Sequence, residues 1–497
     1  MKKKLETLAK AIFFVSIFVI QGCEHKEQTP YYAGYPSEVG KIITTKCAVT
    51  GCHDQQGAGG CNGLDLSNWS AMFKGSSNGS VTVPYSPGFS TTMLFTNTYP
   101  DLGVSTPPSM PLYRTPLSHA EVVSINNWII NGAPNADGFV MWSDNPQRSK
   151  IYICNQGCDN VTIFDEKSQL IMRYTDVGAN PTSIESPHQV VLSPDGLYWY
   201  IIFFNGQYLQ KFSTATDQLV SQVALTGPSG SSWNTMAISQ DGSKGFCVSW
   251  ASTGAVDYVR LDTLPMQVLP YNGFPFVYTH GSALTNHDSI LYLTCNSGNF
   301  LYKMNVSNPI SPKMMKSVSL DGKPLNTSTT TMQPHACEVS PDGQYLYVTC
   351  QASNLVTVVE IANDSIYNQI PTGVYPQEIA FSNNAATPYA FVSCQDDTVA
   401  FPGKHGTVTS INYYTQTALS TIYAGWEPHG IAVDDKAGLV YVACRNLIGT
   451  GGPAPHHTTA CGGTDGYISF IDIATQQLDR KNRVEVSVDP YFVVVKP

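Results

Sequence analysis

Near the start of the chain three residues have the types and the spacing to act on one group together. They are Cys47, Cys52 and His53, in the run Cys47-Ala-Val-Thr-Gly-Cys52-His53. Two thiols followed directly by an imidazole can add to the two vinyl groups of a haem and bind its iron from one face, as Cys-x-x-Cys-His does in haem c attachment. Here four residues separate the cysteines instead of two, so the loop must bulge outward for both sulfurs to reach the vinyls. Zinc is the competing reading of the same three residues. Cys61 would then be the fourth ligand, although no donor follows at zinc-finger spacing.

A ligand for the opposite face of the iron is available in Met110, which stands between Pro108 and Pro111. A thioether is a soft donor suited to haem iron, and His/Met ligation raises the potential. Met93 is the rival ligand, and a methionine that merely fills a gap in the core is the plainer alternative for Met110. Two helical segments would position this chemistry. Val39, Ile42 and Ile43 give Ser37–Lys46 a short apolar face that runs into Cys47. Ser118 and Glu121 form a capping box ahead of Val122, Ile125 and Ile129, with Gly132 where a C-terminal cap belongs. The second helix is expected to pack on the first.

With these go Gly63-Leu64-Asp65-Leu66-Ser67-Asn68-Trp69, Met110-Pro111, Leu117-Ser118-His119-Ala120-Glu121 and Trp128-Ile-Ile-Asn-Gly132-Ala-Pro134. In this order the motifs of residues 38–136 resemble a family of bacterial cytochrome c domains in which the Cys-x4-Cys-His spacing occurs. The resemblance implies a small all-α domain carrying one haem c. Cys47 and Cys52 would be its covalent attachment points, His53 the proximal iron ligand and Met110 the distal one.

The N-terminus reads as a targeting segment. Lys2, Lys3 and Lys4 precede an apolar run, Ala11–Ile20, that is too short to span a bilayer. It ends in Ile20-Gln21-Gly22-Cys23, which resembles the bacterial lipobox. That resemblance implies a lipoprotein signal peptide over 1–22, acylation of Cys23, a polar tether over 23–37, and a chain held by lipid to a membrane in the periplasm or at the cell surface. A plain secretory signal with a chance cysteine is the alternative. Loss of residues 1–22 would leave a chain more acidic than the formal −10 of the whole sequence. With no basic stripe to neutralise phosphates, nucleic acid is excluded as a partner. The partners expected are a redox protein and, through the anchor, a membrane.

The remaining residues, 145–497, belong to a turn-rich chain with 40 Gly, 32 Pro and only 13% charged residues, a balance that favours an all-β fold. They repeat. The clearest unit is Pro334-His-Ala-Cys-Glu-Val-Ser-Pro-Asp-Gly-Gln-Tyr-Leu-Tyr-Val-Thr-Cys350, a strand, a Pro-Asp-Gly turn and a second strand, followed by strands over Leu355–Ile361 and Ser365–Ile370. Equivalent units begin at Pro187, Trp233, Thr279, Pro376 and Pro428. A seventh is divided between residues 151–175 and the terminal Tyr491–Lys496, and joining them closes a ring without open edges. The repeats resemble the YVTN family of β-propellers, with cysteine (Cys154, Cys295, Cys350, Cys394, Cys444) at the last position of the motif. These cysteines are expected to be packing groups. Cys158 and Cys461 lie in loops adjacent across the closure and could form a disulfide.

The fold class expected is therefore a small all-α cytochrome c domain followed by an all-β seven-bladed propeller. Aligned inner strands put His188, Asn234, His280, His335, Gln377, His429 and Tyr491 at one mouth of the channel, with His405, His456, His457 and Cys461 in two long loops on the same face. Neutral imidazoles suit a transition metal, so His188, His280, His335 and His429 form a candidate second metal site; hydrogen bonding to the neighbouring blade is the simpler role. Three functions follow from these features. The first is electron transfer by a lipid-anchored c-type cytochrome whose propeller docks a partner or ligand. The second is an oxidoreductase with a metal or cofactor at the channel mouth, and the third a surface binding module with a degenerate haem site.

Overall fold

A computed structural model of the chain describes residues 32–105, 110–228, 230–271, 273–285, 287–447, 451–456, 459–479 and 483–496. The signal segment 1–22, Cys23, most of the tether, Pro108 and His457 lie outside the described residues.

The chain is mostly β and forms a seven-bladed propeller. Blade 2 shows the plan. Its strands Pro187–Leu192, Tyr198–Phe203, Tyr208–Ser213 and Leu219–Ala224 pair antiparallel in sequence order from the axis outward. Blades 3 to 6 repeat it, with inner strands Ser232–Ile238, Thr279–Thr285, Pro334–Val339 and Pro376–Phe381. Blade 7 starts at Pro428–Asp434 and differs at its rim, where Gln477–Leu478 and Val484–Val488 share the outer position against Asp465–Asp472. Blade 1 takes its inner strand from the other end of the chain. Pro490–Lys496 pairs antiparallel with Lys150–Asn155, setting Val493 opposite Ile153. The ring thus closes through strand pairing and leaves no free edge at the seam. A Cys158–Cys461 disulfide, Cα atoms 5.5 Å apart, ties blade 1 to blade 7 beside that seam.

The repeat residues explain why the strands turn where they do. In Ser193-Pro-Asp195-Gly196 and Ser340-Pro-Asp342-Gly343, the serine hydroxyl donates to the aspartate at 2.5 and 2.6 Å. The glycines take φ of +69° and +72°, a conformation that a side chain resists. Between blades, Tyr152 donates to Asp217 at 3.2 Å and Tyr292 to Asp364 at 2.5 Å. Each aspartate stands in a hairpin turn of the next blade, and each also receives a lysine, Lys150 at 2.7 Å and Lys303 at 2.8 Å.

The first described part of the chain contains the helices Ser37–Ile42, Trp69–Met72, Thr91–Thr96 and His119–Ile130. The capping box at Ser118 and Glu121 forms as read, and Val122, Ile125 and Ile129 are buried together. This helix packs on Ser37–Ile42, and Lys46 pairs with Glu121 at 2.7 Å across the contact. The segment rests on the outer edge of blade 1. There Ser80 donates to the Ile171 carbonyl at 2.9 Å and Phe89 stacks on Tyr174 with ring centroids 4.2 Å apart.

Candidate functional site

The first helix loosens as it reaches the cysteines. After Ile42 it widens into a π-turn, Ile43–Cys47, closed by the Ala48 amide on the Ile43 carbonyl at 2.8 Å. The chain then folds back tightly. The His53 amide donates to the Cys47 carbonyl at 3.3 Å, and Asp54 accepts from the amides of Gly51 and Gly57 at 3.2 and 2.7 Å. At Gly57 a Cβ would lie 2.3 Å from the Cys52 carbonyl oxygen, so only glycine fits against this loop. The loop that carries the two cysteines is therefore held by hydrogen bonds and a glycine contact.

Cys47 and Cys52 are both free thiols. Cys47 is buried in the apolar cluster that also holds Val39, Ile43, Trp69 and Val122, and that burial pushes its thiol up to about 11 against the opposing pull of Lys46. His53 sets its Nδ1 3.4 Å from the Leu64 carbonyl, which leaves Nε2 as the atom available to a ligand. The Gly63–Trp69 motif explains this contact. Leu66 donates its amide to the His53 carbonyl at 2.8 Å, Tyr35 donates its hydroxyl to the carbonyls of Leu66 and Asn68, and Asn68 caps the helix that follows.

Met110 is half-buried, its amide donating to the Phe95 carbonyl at 2.6 Å, ahead of a cis peptide to Pro111. Met93, the rival ligand, is buried two residues before Phe95 in the same helix. One short helix thus anchors both candidates. Cys61 is free and partly exposed.

At the propeller axis the structure brings the aligned residues together. Tyr491, His429, His335, His280 and His188 form a closed circuit of rings, with successive centroids 3.8, 5.4, 3.8, 5.6 and 4.3 Å apart. All are buried, as are Asn234 and Gln377, which complete the circle. His188 and His429 hold Nδ1 at 2.9 and 3.0 Å from the carbonyls of Asn234 and Tyr491, the ring residues of the next blades. For these two imidazoles the hydrogen-bonding role is realised, and Nε2 stays free. Hydroxyls from the preceding blades hold other ring carbonyls. Thr294 donates to His335 at 3.0 Å, Thr349 to Gln377 at 2.6 Å and Ser393 to His429 at 2.5 Å.

Burial keeps these imidazoles neutral. It drives His280 down to about 4 and takes His188, His335 and His429 well below the usual histidine range, helped by their mutual proximity. Glu378, the residue after Gln377, was not singled out by sequence. Its donor oxygen and one nitrogen from each of His335 and His429 all lie within 4.8 Å of one another. Burial first and Glu338 second push the Glu378 carboxyl up to about 8. The other repeats place Gln189, Thr235, Gly281, Ala336, Gly430 and Phe492 at this position, so an acid there was the available signal.

The long loops do not extend the cluster. His405 faces Asp396 at 3.3 Å and His456 faces Glu485 at 2.7 Å, and neither stands in a three-donor group among the described residues. The repeated cysteines are buried thiols. Cys154, Cys350 and Cys444 are pushed up to about 12 and Cys394 to about 11, chiefly by burial, which fits a packing role.

No protein-family model and no curated protein matches the chain. Solved structures do. A functionally unknown protein from Desulfotomaculum acetoxidans DSM 771 is similar with a TM-score of 0.52 at 12% identity, covering 70% of this chain and 98% of its own. Putative 6-phosphogluconolactonases from Bacteroides uniformis ATCC 8492 and Bacteroides fragilis NCTC 9343 each give 0.52 at 13% identity. They cover 70% and 72% of this chain and 99% of their own. At such identities the likeness concerns the propeller fold alone.

Proposed function

We propose that the chain is an exported electron-transfer protein, with one haem c attached through Cys47 and Cys52 and axially bound by His53 and Met110. The observation that carries this reading is the pairing of two unbridged thiols with an imidazole whose Nδ1 faces the Leu64 carbonyl. Zinc would use the same thiols, but the Gly63–Trp69 and Leu117–Glu121 motifs around them contact the His53 segment and the helix that leads into Cys47, which favours haem.

When bound, haem c supplies a one-electron iron couple. The residues here do the rest. Cys47 and Cys52 would hold the haem, each thiol adding across a vinyl group to give a thioether. The Leu64 carbonyl orients His53 by accepting from Nδ1–H, so that Nε2 is the donor. Burial of Cys47 in the apolar cluster that includes Val39, Ile43, Trp69 and Val122 would keep water from that side of the haem and favour a raised potential together with a methionine ligand.

The Cys158–Cys461 disulfide supports export, because such bonds persist in oxidising compartments. Acylation of Cys23 and a lipid anchor belong to the same proposal, as does a redox protein as partner. The test is spectroscopic. Mature protein from a host that assembles c-type cytochromes should give a c-type spectrum. The Met110→Ala variant should keep the haem, lose the His/Met character of the oxidised form and have a lower potential. A spectrum unchanged by Met110→Ala but altered by Met93→Ala would move the distal role to Met93.

A further inference from the structure

The axial imidazoles leave more buried polar atoms unsatisfied than a purely structural ring explains. His280 Nδ1, His335 Nδ1 and the Asn234 Oδ1 are buried and make no hydrogen bond among the described residues. The carbonyls of His335 and Gln377 stand near His280 and His335 in the relation that satisfies His188 and His429, without the geometry of a bond. His335 Nδ1 also lies 3.4 Å from Glu378 Oε1. Buried polar atoms without a partner are rare, so these mark a place that something else satisfies.

The donor set says what that is. His335, His429 and Glu378 converge within 4.8 Å, and the His280 ring lies against His335 at 3.8 Å between centroids. His429 is already oriented by its Nδ1 bond to the Tyr491 carbonyl, as imidazole ligands of metals are.

We infer that the propeller axis holds a divalent transition-metal ion of the zinc or copper class, ligated by His335, His429 and Glu378, with His280 as a fourth donor. Three nitrogens and a carboxylate of intermediate softness suit such an ion better than calcium or magnesium, which take oxygen. This site is independent of the haem proposal, since it uses no residue of the N-terminal segment.

The test is metal content of the full chain after equilibration with Zn(II) or Cu(II) and exhaustive dialysis, read by elemental analysis. It is run on wild type and on a Cys47→Ser/Cys52→Ser background, so that neither haem iron nor zinc on those thiols contributes. One equivalent of zinc or copper per chain is expected in both. Glu378→Gln, which preserves shape, should weaken retention about tenfold or more, and His335→Ala/His429→Ala should abolish it. His119→Ala, remote from the axis and paired with Asp101, should leave it unchanged. Haem content should be the same in wild type and the axial variants. If the Cys47→Ser/Cys52→Ser chain retains neither metal, or if a folded Glu378→Gln chain retains it undiminished, the axial site is not a metal site and the haem proposal is untouched.

Discussion

The Thr349 hydroxyl donates to the carbonyl of Gln377 at 2.6 Å, joining the end of one blade's second strand to the start of the next blade's first. Thr294 and Ser393 make the same bond to His335 and His429, so the Val-Thr-Cys ending of the repeat is a belt that fixes where the axial residues stand. Thr349→Val keeps the shape and strands a buried carbonyl. It should lower stability by about 1–3 kcal/mol. Urea unfolding checks this, and a midpoint equal to wild type would mean that the belt contributes nothing.

Lys150 and Asp217 form a buried pair at 2.7 Å, with Tyr152 and Arg173 also turned to the carboxylate. Burial pulls Lys150 below its usual value, so its charge depends on the aspartate. Asp217→Asn removes the counter-charge and leaves an ammonium in the core. A loss of about 3–5 kcal/mol is expected, visible as a lower melting temperature. A variant that melts with wild type would contradict the role given to this pair.

Much of this was legible in the sequence, and the reason is repetition. Pro-Asp-Gly turns and the start of each inner strand recur at fixed offsets, so the strands, the split blade and the identity of the ring from His188 to Tyr491 followed from alignment. The capping box at Ser118 was equally local. What escaped was whatever depends on one blade facing another. Glu378 is an ordinary acid on a strand until the ring brings it to His335 and His429. The loop histidines His405 and His456, expected to crowd the mouth, find Asp396 and Glu485 instead, partners 9 and 29 residues away. Alignment could put His280 on the axis but could not give the contacts that leave its Nδ1 unpaired.

Glu378 also governs a pH dependence of the metal-free chain. Its carboxyl is raised from 4.5 to about 8 on folding, so the folded state binds the extra proton between those values. The stability this gives is complete below pH 4.5 and is lost as pH rises through about 8. His280, lowered from 6.5 to about 4, works in the opposite direction, contributing fully above 6.5 and losing its share as pH falls toward 4. In metal-free protein Glu378→Gln should therefore flatten the fall in melting temperature between about pH 4.5 and pH 8. An equally steep fall in the variant would remove Glu378 from that dependence.

Cys158 and Cys461 close a covalent loop across the seam, 303 residues apart in sequence. Cys158→Ser/Cys461→Ser should fold, because strand Pro490–Lys496 still completes blade 1, but with stability lower by about 2–5 kcal/mol. Thermal melts of the variant, and of wild type with and without reductant, read the difference.

The thiols beside His53 are the proposed attachment points of the haem. Mature chain from a host competent in cytochrome c maturation, run on a denaturing gel and stained for haem peroxidase activity, tests that attachment directly. One covalently bound haem that stays with the polypeptide is expected, lost on Cys47→Ser/Cys52→Ser. Mature, folded protein that carries no covalent haem would contradict it.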